Sequence, residues 1–119
     1  MNLNVFIKTF LLILCIDILY LFVIRRSFIT SYFSKFGGDQ MSILYGLIAW
    51  CLLSFGIEYF IVQNKNPFWN GMLFGLVVYG VYDFTNLATI NGWTLNFAIQ
   101  DILWGMILCG TVGYLRTKI

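Results

Sequence analysis

The chain has 119 residues, 61% of them hydrophobic, 19% aromatic and 10% charged, with a formal net charge of +2 and a mean hydropathy of +0.86. Soluble domains run at about a quarter charged, so this balance reads as a membrane protein, and the small, dispersed charge excludes nucleic acid as a partner. Histidine is absent, which removes His-ligated haem, the usual zinc sites and any Ser-His or Cys-His nucleophile.

Four apolar stretches of about 20 residues fill the length and leave no room for a soluble domain. The first predicted span is 5–24. Asp17 interrupts it and no small-x-small cleavage pattern follows, so it reads as retained and not as a signal peptide. Arg25 and Arg26 close it as helix-end anchors, and the polar connection Ser27–Gln40 follows. The second span is 41–62, ending at Gln63-Asn64-Lys65-Asn66-Pro67. Pro67, the single proline, suits the first turn of the third span, 68–88. Trp69 stands at its entry and Asn91-Gly92 signals the next turn. Thr94 is an N-cap candidate for the fourth span, 95–115, and Arg116 and Lys118 follow. The fold class is therefore an all-α, integral membrane four-helix bundle with short connections, one transmembrane domain over 1–119.

Short connections make consecutive helices antiparallel. Lys8, Lys65, Arg116 and Lys118 fall on the N-terminal side (side A), and Arg25, Arg26 and Lys35 on the opposite side (side B). That balance leans toward side A as cytoplasmic under the positive-inside rule. Cys15, Cys51 and Cys109 lie singly in three spans, with no CxxC pair, and read as small buried apolar fillers.

One acidic residue falls in each span: Asp17, Glu58, Asp83 and Asp101. A carboxylate at bilayer depth costs roughly 2.5–3.5 kcal/mol on insertion scales, so it is buried, paired, protonated or functional. From helix rise, Asp17, Asp83 and Asp101 lie roughly 4–8 Å off the midplane in the side-B half. Glu58 lies about 9–10 Å from the centre toward side A, where it reads as an interfacial residue that snorkels to water or pairs with Lys65. Lys8 is a poor partner for Asp17, on the opposite helical face.

Gly71, Gly75, Tyr79 and Asp83 follow at i, i+4 spacing, as do Asp101, Gly105, Cys109 and Gly113. Small residues so spaced let membrane helices approach closely. The third and fourth helices are thus expected to pack through Gly71, Gly75, Gly105 and Gly113, or to offer these stripes to an oligomer. That packing would bring Asp83, Asn86 and Asp101 together, with Asp17 joining from the first helix. Tyr79, Tyr82, Thr85 and Trp104 are the supporting residues. Trp69, Trp93 and Trp104 read as interface anchors, with Trp104 also placed to line a pocket. Three carboxylates together cannot all stay ionised; a proton, a cation or a basic side chain must compensate.

The string Tyr82-Asp83-Phe84-Thr85-Asn86-Leu87-Ala88-Thr89, then Trp93, then Asp101-Ile102-Leu103-Trp104-Gly105, resembles the signature of an uncharacterised family of small predicted membrane proteins. That family is a domain of unknown function found in bacteria and some large DNA viruses. The resemblance spans the chain: Asp17 matches an aspartate of the family's first helix and Gly75 a glycine of its third, while the second span matches poorly. It implies a four-helix membrane fold and no established activity.

Three functions stay open. The aspartates could bind a proton or cation in a small, oligomeric transport-type protein. They could instead be interhelical glue in a structural membrane component of a larger assembly, such as a viral envelope or capsid-associated complex, with partner membrane or capsid proteins. A lipid-modifying enzyme using a carboxylate pair is the third. No phosphate-binding loop, nucleophile, cofactor or metal motif supports it, so a non-enzymatic role is favoured. The expected environment is the lipid bilayer of a cell membrane or a viral envelope or inner membrane.

Overall fold

The computed structural model describes residues 2–24 and 43–119. Arg25, Arg26, Lys35, the connection Ser27–Gln40 and the predicted start of the second span at Met41 lie outside the described residues. The rest is helical: α1 (Leu3–Leu19), α2 (Ile43–Gly56), α3 (Pro67–Thr89) and α4 (Leu95–Arg116). Two π-helical segments, Tyr20–Ile24 and Ile57–Ile61, extend α1 and α2. With those segments counted, all four helices are long and apolar enough to cross a membrane.

Local chemistry sets most of the ends. Asn2 caps α1, its side chain accepting from the N–H of Asn4 at 2.7 Å and of Val5 at 3.3 Å, so the helix begins two residues before the first apolar run at Val5. In the second π segment the N–H of Val62 reaches back five residues to the Ile57 carbonyl at 3.0 Å. Pro67 opens α3, where its missing N–H costs no helical bond. Between α3 and α4, Gly92 takes φ 94°, a left-handed conformation that glycine adopts without a Cβ clash. Thr94 then caps α4 by accepting from the Phe97 N–H at 3.2 Å.

The helix α4 and the π segment of α2 each contact every other helix of the bundle. Helix α4 packs on α1, on α3 and on the π segment of α2, whereas α1 and α3 do not meet among the described residues. The tightest pairing is α3 on α4. A Cβ at Gly71 would stand 2.5 Å from the Cys109 carbonyl oxygen and 2.8 Å from Gly110 Cα, and one at Gly75 would stand 2.7 Å from the Gly105 carbonyl carbon. The two backbones are therefore in contact at glycine, as expected where lipid removes the hydrophobic drive and close packing holds helices together. Gly113 faces the Pro67 carbonyl and the Ile61 side chain. Ile13, Leu53, Ile57, Ile61, Leu108, Cys109 and Val112 form the apolar core. Large apolar side chains on the outer faces, such as Leu11, Leu52, Val77 and Leu103, are exposed and face the lipid.

Cys109 is buried, but Cys15 and Cys51 are exposed, which corrects the expectation that all three fill the interior. Cys15 lies two residues, about 200°, from the inward-facing Asp17, so it must point outward.

Candidate functional site

Three polar arrangements lie inside the bundle. The first is in the side-A half. Glu58 is 4% exposed; its Oε1 accepts from the Thr9 hydroxyl and forms an ion pair with Arg116, whose Nε stands 2.5 Å away. Three helices are joined at one carboxylate. This corrects the expectation of an interfacial Glu58 snorkelling to water or pairing with Lys65. Glu58 lies one helical turn from the buried Ser54 and beside the buried Ile57, so it faces the bundle interior, and the last turn of α4 supplies a guanidinium to it. Lys8 turns away from the interior, its Nζ donating to the Ile119 carbonyl oxygen at 3.2 Å.

The second arrangement is built on Asp17, which is 8% exposed. Its Oδ2 accepts from Trp50 Nε1 at 2.9 Å and its Oδ1 from Trp104 Nε1 at 3.0 Å. Each carboxylate oxygen thus has an indole donor, one from α2 and one from α4. The Trp104 ring is stacked on Tyr20, centroids 3.8 Å apart and planes 6° from parallel. Trp104 is therefore an internal ligand of Asp17 and not a membrane anchor.

The third is Asp83, fully buried at 0% exposure. The polar side chains facing it are Asp101 of α4 and Trp93 of the turn, yet neither Asp83 oxygen has a donor in hydrogen-bonding geometry among the described residues. Trp93, taken as an anchor from the sequence, turns inward and meets Tyr82 and Phe97 edge-on, with centroids 6.1 and 5.1 Å apart. Every described basic residue lies on side A. No described cation is at the depth of Asp83.

The aspartates are thus not one cluster. Helices α1 and α3 do not meet among the described residues; Asp17 is held by tryptophans while Asp83 and Asp101 meet each other. Tyr79 sits between the groups, its ring against Gly105, within electrostatic reach of Asp17, Asp83 and Asp101. The Asn86 side chain faces Tyr82 of its own helix. Thr85 is exposed, its carbonyl accepting from the Thr89 hydroxyl at 2.8 Å. Two residues from Asp83, it lies on the far side of the helix, which removes it from the supporting set. Among the described residues no three His, Cys, Asp or Glu side chains converge as metal ligands would.

Thr9, Trp50 and the role of Arg116 were missed from the sequence. Signals existed. Thr9, Ile13 and Asp17 follow at i, i+4 spacing and form the buried stripe of α1. Trp50 lies about as far into α2 from its side-B end as Asp17 lies from that of the first helix, and Arg116 and Glu58 share the side-A half.

No curated protein and no solved structure matches the chain. A family model described as "Predicted membrane protein (DUF2177)" matches residues 2–117. With nearly the whole chain inside that match and four helices able to span a bilayer, this multi-pass integral membrane protein belongs to the DUF2177 family.

Proposed function

We propose that the protein is a small transport-type membrane protein in which the Asp83–Asp101 pair binds and releases a proton or a monovalent cation. One observation carries this. Glu58 is paired with Arg116 and both Asp17 oxygens accept from indole N–H groups, whereas Asp83 is fully buried, has no basic side chain beside it among the described residues and is faced by another carboxyl, that of Asp101. Burying a carboxylate with no compensating positive charge costs roughly several kcal/mol, so a proton or cation completes the site. Intramembrane acids of this kind mark ion and proton pathways. Tyr79, between the pair and Asp17, extends the polar route toward α1.

The test is proton or cation flux in proteoliposomes. Asp83→Asn and Asp101→Asn, each an isosteric neutralisation, abolish flux while the far-UV spectrum stays that of the wild type. Flux absent from the wild type, or surviving in both variants, overturns the proposal. Interhelical glue is the competing role, and the bonded states of Asp17 and Glu58 favour it for those two residues. It predicts that Asp83→Asn lowers stability with no flux to lose.

A further inference from the structure

The side-A rim carries a second feature, unconnected with the aspartates. Where α2 turns into α3 and α4 ends, the surface opens into a cleft of about 530 Å³ lined by Asn64, Lys65, Asn66, Trp69, Tyr114 and Lys118 among others. Its volume falls in the range of roughly 300–1,000 Å³ usual for ligand sites. No carboxylate lines it. Glu58, in the same half of the bundle, is paired with Arg116, and neither Lys65 nor Lys118 has a carboxylate partner among the described residues. Lys118 Nζ stands 5.3 Å from the centre of the Tyr114 ring.

The backbone adds to the positive character. The Asn66 side chain makes no capping bond to α3 and Pro67 has no N–H to satisfy. The N–H groups of Phe68 and Trp69 therefore face the cleft end of the helix with no intrahelical acceptor. The opposing end of α4 is quenched by its own residues. The Tyr114 carbonyl accepts from the Thr117 hydroxyl at 2.6 Å and the Thr117 N–H at 3.1 Å, and the Leu115 carbonyl from the Lys118 N–H at 2.9 Å.

The lower wall is apolar and aromatic. Phe68, Trp69 and Tyr114 are 47%, 59% and 47% exposed, at the helix ends where aromatic side chains meet the headgroup level. A ligand matching this cleft has an anionic phosphate above and hydrocarbon below. A free phosphate would leave the aromatic wall unused.

We infer that this cleft binds the headgroup of an anionic phospholipid, its phosphate between Lys65 and Lys118 and its acyl chains against Phe68, Trp69 and Tyr114. Basic pockets between membrane helices recognise anionic headgroups in this manner. The full chain in detergent is titrated with phosphatidylglycerol, phosphatidylcholine or inorganic phosphate and followed by native mass spectrometry. One saturable phosphatidylglycerol adduct is expected, about tenfold tighter than phosphatidylcholine. Lys65→Gln with Lys118→Gln removes that preference; both side chains are exposed, so the fold is kept, as an unchanged far-UV spectrum verifies. Lys8→Gln, outside the cleft, leaves it intact. Equal binding of the two lipids, or a preference that survives the double change, overturns the inference. So does an equal loss in Lys8→Gln, which would assign the effect to diffuse charge, or occupancy by inorganic phosphate in preference to the lipid.

Discussion

Removing one partner of the Glu58–Arg116 pair is more damaging than removing both, and the two single changes are unequal. The Glu58 side chain is 5% exposed and that of Arg116 12%. Arg116→Met leaves a buried carboxylate with the Thr9 hydroxyl as its remaining donor. Breaking a buried pair in this way costs about 3–5 kcal/mol. Glu58→Gln keeps a hydrogen-bonding group beside Thr9 and leaves a guanidinium in the last turn of α4, where its long stem lets it reach the membrane surface. The cost there is about 1–2 kcal/mol, that of a charge-assisted hydrogen bond partly recovered by water. The double change Glu58→Leu with Arg116→Met replaces both charges by apolar groups of similar size and falls within about 1 kcal/mol of the wild type. Reversible unfolding in mixed micelles, followed by circular dichroism and tryptophan fluorescence, measures all three. A double variant no more stable than Arg116→Met alone, or single changes both below about 0.5 kcal/mol, would show that the pair is not a buried, coupled unit.

Two further changes probe the helix contacts and the Asp17 site. At Gly75 a methyl would stand 2.7 Å from the Gly105 carbonyl carbon and 2.9 Å from Met106 Cα. Backbone atoms cannot give way singly, so Gly75→Ala should separate α3 from α4 and destabilise by about 1–3 kcal/mol. Gly80→Ala, with nothing within 4 Å, should be neutral or stabilising by up to about 1 kcal/mol; equal effects in the same unfolding assay would refute the close approach. Trp104→Phe keeps an aromatic ring on Tyr20 and deletes the donor to Asp17 Oδ1. The expected loss lies between about 0.6 kcal/mol, the membrane average, and about 1.5–3 kcal/mol for a bond to a charged group. It should vanish in an Asp17→Ala background, and additivity of the two changes would show that the bond contributes nothing.

Composition and hydropathy alone determine that the chain is helical and crosses a membrane, because a backbone in lipid must satisfy its own hydrogen bonds within each span. The i, i+4 spacings also carry the face on which Asp83 and Asp101 lie, since helix periodicity fixes the angle between residues of one helix. Spacing says nothing of the angle between helices. In the assembled bundle α1 and α3 do not meet among the described residues, which divides the aspartates into a tryptophan-bound Asp17 and a facing Asp83–Asp101 pair. Glu58 shares a buried helical face with Leu53, Ser54, Ile57 and Ile61, and that face meets Arg116 and Thr9 and not the membrane surface. Partner choice for a buried charge depends on which donors arrive at its depth from other helices, and only the assembled bundle decides that.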